Sequence, residues 1–228
     1  MLRNRFIRWG LYLLIGVGLG MAFNFVMKKN EMDGGVIALS PDDSNNSVAT
    51  IIKRPSRAID ATANKPDLGG AFTLVDQDGK TVTQADYADQ YKLIFFGFTY
   101  CPAICPTELL KVTTLLNDLG DMAENITPIF ITVDPERDTP AQIKTYLESF
   151  HPRMVGLTGT QDQIDAIKKE YKVFASKVEN EMMSEYMMDH SAFLYFMAPD
   201  DSFVSMYPST DTATQIAADI KSLGILEN

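Results

Sequence analysis

The sequence predicts an α/β domain built on a mixed sheet and tethered by a single N-terminal transmembrane helix. Three observations carry this. Apolar runs of strand length alternate with stripes of helical period between residues 92 and 174. A strand–turn–strand pattern and one amphipathic helix then close the chain, as in a mixed sheet. Near the start, residues 9–27 form a run without a single charge.

At 1.5 Å per residue that run spans roughly 28 Å, close to a bilayer core. Arg3, Arg5 and Arg8 precede it, and Lys28 and Lys29 follow. With the terminal amine, the bases favour a cytoplasmic N-terminus over residues 1–8. The run exceeds a signal-peptide core, and no A-x-A-like site follows it, so a retained anchor is expected. Residues 28–66 are poor in large apolar side chains, and Ser40-Pro41-Asp42-Asp43-Ser44-Asn45-Asn46-Ser47 has loop composition. Such a segment cannot bury enough surface to offset chain entropy and reads as a linker. Residues 48–53 could add a short strand.

Residues 67–228 suit one domain. Residues 72–75 and 81–83 flank Asp76-Gln77-Asp78-Gly79, a hairpin signal. Residues 92–98 and 126–133 read as buried strands. Between them, Leu109, Leu110, Val112, Leu115, Leu116 and Leu119 form a helical stripe over 107–119, stopped by Gly120. Thr139-Pro140 gives an N-cap and first residue of a helix carrying Ile143, Tyr146, Leu147 and Phe150. A short strand is expected at 154–157, a helix over 160–174 and a loop over 178–189. A hairpin of 192–198 and 202–207 turns at Pro199-Asp200-Asp201, and a last helix covers 211–223.

The net charge of −10, from 30 acids against 20 bases, argues against a nucleic-acid partner. Two cysteines exclude a framework of several disulfides. They stand as Cys101-Pro-Ala-Ile-Cys105 between a buried strand and a helix, at the sheet edge where ligands bind in open α/β folds. A helix N-terminus lowers a thiol pKa. If 101–105 has entered the helix, both sulfurs share one face. With a neutral imidazole they would make a soft set suited to Cu(I) and able to hold Cu(II). Placement alone leaves three uses open: a metal site, a thiol redox pair and a small structural disulfide.

Two histidines are available. His151 follows a helix end, where a histidine ordinarily serves the last carbonyls and the helix dipole. His190 precedes the strand at 192–198. By pattern alone a histidine there serves as readily in structure as in a ligand set. No proline occurs from Arg153 to Ala198, so a cis X-Pro bond facing the cysteines is excluded there, which weakens a general redox reading. Asp189 is a candidate to orient that imidazole. Met182, Met183, Met187 and Met188 precede His190, and their thioethers are either packing groups or soft donors for Cu(I) in passage.

Three stretches resemble the Sco/SenC family of copper chaperones: Phe96-Gly-Phe-Thr-Tyr-Cys-Pro-Ala-Ile-Cys-Pro-Thr-Glu-Leu109, Ile131-Thr-Val-Asp-Pro-Glu-Arg-Asp-Thr139 and Asp189-His190-Ser191. They occur in order, and the resemblance covers about residues 67 to 226. It implies a thioredoxin-like fold, copper held by Cys101, Cys105 and His190, and a role in assembling the CuA centre in subunit II of cytochrome c oxidase. The implied setting is a bacterial inner membrane crossed once, with the soluble domain in the periplasm. A copper-delivering chaperone or a thiol reductant would be further partners. It also suggests a supporting role for Asp134 and Asp138, against simple loop structure. One departure is Ala103, where the family commonly has Asp.

The competing activity is thiol–disulfide exchange on the cysteines of the oxidase subunit, with the same two residues. A peroxidase is disfavoured because Pro102 stands where a peroxidatic site has Thr. A closed zinc site wants four ligands, and only three candidates exist.

Overall fold

The computed structural model describes residues 66–179 and 186–226. The anchor at 9–27, the linker and the strand expected at 48–53 lie outside them. Among the described residues no helix is long and apolar enough to cross a membrane.

The hairpin forms as β1 (Thr73–Asp76) and β2 (Thr81–Thr83), turning at Gly79 with φ 81°. The two apolar runs become β3 (Tyr91–Gly97) and β4 (Ile126–Thr132), parallel neighbours at the centre of a seven-stranded sheet. β5 (Val155–Thr158) lies parallel to β4, and β8 (Phe193–Met197) and β9 (Phe203–Pro208) continue antiparallel from β3. The order is β2-β1-β5-β4-β3-β8-β9, the mixed sheet that the pattern predicts.

Four α-helices accompany it: α1 (Ile104–Leu119), α2 (Pro140–Leu147), α3 (Gln161–Glu170) and α4 (Ala213–Ser222). Thr139, Thr160 and Thr212 cap the last three, each accepting a backbone N–H three residues on. α1 packs against α4, and α2 lies on β5, where Gly156 leaves room for Ile143 and Leu147. Leu93, Ile94, Phe95 and Phe96 of β3 and Ile129, Phe130 and Ile131 of β4 are buried in one apolar core.

The structure departs from expectation in three places. α1 begins at Ile104, a turn earlier than the apolar stripe indicates, so Cys105 is helical and Cys101 is not. α3 ends at Glu170 rather than at residue 174. There the Val173 N–H reaches Lys168 O and the Lys172 N–H reaches Lys169 O, with Lys172 at φ 53°. This is a Schellman turn with lysine at the position glycine usually takes, so its sequence signal is missing. Third, the two ends of the loop expected at 178–189 belong to a two-stranded antiparallel ribbon, β6 (Ala175–Val178) with β7 (Met187–His190).

Candidate metal centre

The strand β3 runs parallel to β4, so both deliver their following loops to the same edge of the sheet. After β3 the chain turns through Thr99 and Tyr100, and the Cys101 N–H closes the turn onto Phe98 O. Asp138, fully buried in the loop after β4, accepts the Thr99 N–H at 3.0 Å and the Thr99 hydroxyl at 2.6 Å. It also accepts the Thr132 hydroxyl at 2.6 Å. Burial raises the Asp138 carboxyl pKa, against these hydrogen bonds, which lower it. Asp138 therefore braces the loop that carries Cys101.

Cys105 follows on the first turn of α1 and is completely buried. It can sit there because Gly97 has no side chain: a Cβ on Gly97 would lie 2.9 Å from Cys105 Sγ. The N-cap of α1 is Ala103, which has no capping side chain. Pro106 has no N–H to cap. The Cys105 N–H goes to Cys101 Sγ at 3.4 Å. A sulfur thus caps this helix, where the backbone favours negative charge.

His190 ends β7, opposite Ala175 of β6. Its ring stands edge-on to Phe95 and Phe98, at centroid distances of 6.1 and 5.7 Å. His190 Nδ1 lies 3.1 Å from Ser191 O. A carbonyl only accepts, so Nδ1 donates there, and Nε2 is the nitrogen turned to the cysteines. Nε2 faces Cys105 Sγ at 3.5 Å. Asp189 does not orient the ring: strand alternation turns it outward and leaves it exposed.

The ligand atoms of Cys101, Cys105 and His190 all lie within 4.8 Å of one another. Both thiols are free. The hydrogen bond from the Cys105 thiol is the main cause that holds Cys101 far below the ordinary thiol range; burial opposes it, and His190 and the backbone N–H groups of Cys105 and Ala103 assist. The same hydrogen bond, then burial, pushes the Cys105 thiol up. The shared hydrogen bond therefore favours the anion on Cys101 over Cys105. Two sulfurs and an imidazole nitrogen fit a soft cation such as copper.

A second cluster holds the histidine ribbon in place. Asp134 is buried, accepts Arg137 Nε at 2.5 Å and accepts the Tyr186 hydroxyl at 2.7 Å. Arg137 Nη1 donates to Tyr186 O at 3.0 Å, and its guanidinium lies 3.7 Å from the Tyr186 ring centroid. Lys177 on β6 bonds Glu136 at 2.6 Å and stands 4.7 Å over the same ring. Tyr186 and Arg137 were not singled out in the sequence, although Asp134 and Arg137 form an acid–base pair three residues apart. His151 is remote from this constellation in role: its Nδ1 accepts the Arg153 N–H, a local loop contact rather than a helix-end one. Met187 and Met188 lie in β7; Met182 and Met183 are outside the described residues.

The SCO1/SenC family model matches residues 60–224. The chain belongs to the SCO1/SenC family. Among solved SCO1/SenC structures it resembles Bradyrhizobium japonicum ScoI with copper bound, at 44% identity and TM-score 0.63, over 68% of this chain and 98% of that one. It also resembles BsSco, described as a member of the Sco family of cytochrome c oxidase assembly proteins with a disulfide switch. That match has 27% identity and TM-score 0.54, over 72% of this chain and 98% of that one. The mitochondrial SCO1 homolog 1 of Arabidopsis thaliana is 36% identical over 198 residues, 86% of this chain and 54% of its own length. The chain spans between 52% and 66% of the length of the first curated relatives it matches. The fold is the thioredoxin-like fold of Sco proteins.

Proposed function

We propose that this protein is a membrane-tethered copper chaperone that binds copper through Cys101, Cys105 and His190 and supports assembly of the CuA centre of cytochrome c oxidase. The observation that carries the reading is the convergence of three soft or borderline donors within 4.8 Å, in a family with a copper-bound relative. Residues 67–228 would form the copper domain, and residues 28–66 the linker to an anchor at 9–27 in a bacterial inner membrane. The domain would then face the periplasm, where a flexible coil of that length gives it a search range of roughly 30–40 Å. Subunit II of the oxidase would be the recipient, and a copper-delivering chaperone the donor.

Each residue has a defined task. Cys101 offers a thiolate at the helix start, and Cys105 gives up its proton when metal binds. His190 presents Nε2 because Ser191 O holds the proton on Nδ1. The copper is cargo, so its ligands must also let it go. Tyr100 and Ile104, neighbours of the cysteines, are exposed, and the rim is open to a partner.

The test is anaerobic copper titration of the reduced full chain. Cys101→Ser or Cys105→Ser should abolish tight binding, and His190→Ala should weaken Cu(II) more than Cu(I), because two thiolates suffice for linear Cu(I). Wild-type Cu(II) absorption and spin-resonance spectra in His190→Ala would exclude this histidine.

The low-pKa thiol beside a buried partner thiol favours a second reading, thiol–disulfide exchange on subunit II. Cys101 thiolate would attack the partner disulfide, releasing one partner thiolate. Cys105 would then displace the other, leaving a Cys101–Cys105 disulfide that a thiol reductant restores. Reduction of a subunit II disulfide without copper, lost in Cys101→Ser, would support it.

A further inference from the structure

The ribbon that carries His190 also carries a sulfur donor on the same face of the strand. Side chains alternate along β7, so Met188 and His190 share one face; Tyr186 immediately precedes the strand. His190 reaches Cys105 at 3.5 Å, and Tyr186 reaches Asp134 at 2.7 Å. Met188 stands between them. Its cross-strand partner is Lys177, whose ammonium lies over the Tyr186 ring on that side. Met188 is half-buried and packs against the core. Met187, also half-buried and packed against the core, pairs with Val178 and shares the opposite face of the strand with exposed Asp189.

We infer that Met188 is an auxiliary copper donor that takes the place of His190 while Cu(I) enters or leaves. This rests on the copper reading above. Same-face neighbours on a strand are about 6.6 Å apart, and methionine's three rotatable bonds let its sulfur lean along the strand over that interval. A thioether is neutral, soft and prefers Cu(I) to Cu(II). In the exchange the Cu–Nε2 bond breaks as a Cu–Sδ bond forms. The copper remains Cu(I), and no proton moves, since Nδ1 keeps its own. The cysteines stay bound throughout, so the ion keeps three donors as the imidazole departs. Met187, facing away, has no part in this.

The test uses the full chain in detergent, loaded anaerobically with Cu(I). Uptake by the wild type, lost in Cys101→Ser, is measured first; absence of that uptake defeats the copper reading itself. X-ray absorption on the Cu(I) complex of His190→Ala then reads the auxiliary donor directly. The sulfur coordination should fall by one when Met188→Leu is added and stay unchanged when Met187→Leu is added. In the chain with His190 intact, Met188→Leu should pass Cu(I) to a competing chelator several-fold more slowly than wild type. Its equilibrium affinity and thermal unfolding should remain close to wild type, because leucine conserves the packing volume. Met188→Ile serves if the leucine variant unfolds. Equal sulfur coordination with and without Met188, or equal transfer rates in Met188→Leu and wild type, would overturn the inference.

Discussion

The Tyr186 hydroxyl donates to Asp134 Oδ1 at 2.7 Å and so ties the strand of His190 to the loop after β4. Asp134 holds Arg137 with its other oxygen, and Arg137 returns to the Tyr186 carbonyl. One buried carboxylate thus fixes the position of an imidazole four residues beyond the tyrosine.

Tyr186→Phe should therefore loosen the histidine without touching either cysteine. Leaving a buried carboxylate oxygen unpaired costs about 1–3 kcal/mol. Copper affinity should fall about 10–100-fold, as for other residues that orient a metal ligand. Competition titration and thermal unfolding measure both, and unchanged affinity would show that the ribbon needs no such tie.

Ala103→Asp should add a capping carboxylate to α1, worth ~1 kcal/mol to the helix. The carboxylate would compete with Cys101 for the Cys105 N–H and repel the thiolate, so the Cys101 pKa should rise. In the unaltered protein that pKa is lowered, so the anion persists as pH falls. Alkylation of Cys101 should then stay nearly constant from alkaline to neutral pH, whereas an ordinary thiol slows below about pH 8.5. Rates of iodoacetamide labelling of the reduced, metal-free chain give the comparison. Cys105, buried and raised, should label far more slowly at every pH.

Gly97→Ala should damage the site through packing alone. The added methyl would meet Cys105 Sγ and Phe95 at 2.9 Å and the Phe130 ring at 3.0 Å. Overpacking of this kind costs about 1–3 kcal/mol. Displacement of Cys105 should also weaken Cu(I) binding, measured against a chelator of known affinity.

Oxidation should close the site. A Cys101–Cys105 disulfide removes both thiolates, so the oxidised chain should take up no copper until it is reduced. Equal uptake by the oxidised and reduced metal-free chain would contradict the ligand assignment.

The sheet was legible because its strands carry their own signal. Residues 92–98 and 126–133 are continuous apolar runs, and Thr139-Pro140 announces the helix after β4. The cysteine pair was legible from its place between a strand and a helix, and His190 from the scarcity of other imidazoles and the matching motif. The ribbon was not. Ala175-Ser-Lys-Val and Met187-Met-Asp-His lack the β-branched alternation of a strand, and their order comes from each other and from Tyr186. Asp189 was overvalued because it adjoins His190 in sequence, where strand geometry turns neighbours apart. Lys172 in the left-handed region hid the end of α3, since nothing in a lysine codon marks a turn. The fold-wide consequence of Asp134 was open because its partner, Tyr186, is 52 residues away.

The separation of the two-stranded ribbon from the seven-stranded sheet gives the molecule two levels of cooperativity. A pair of strands is marginal by itself, whereas β3 and β4 belong to the unit whose opening is global unfolding. Amide protons of Lys177 and Met188 should exchange through a local opening of low free energy, and those of Ile94 and Ile129 only through the global one. On that expectation the cysteines would be rooted in the slow-exchanging part of the chain and the histidine in the fast-exchanging part. Copper bound across all three would staple the two, and the protection it adds to the ribbon amides would report the strength of the third bond alone.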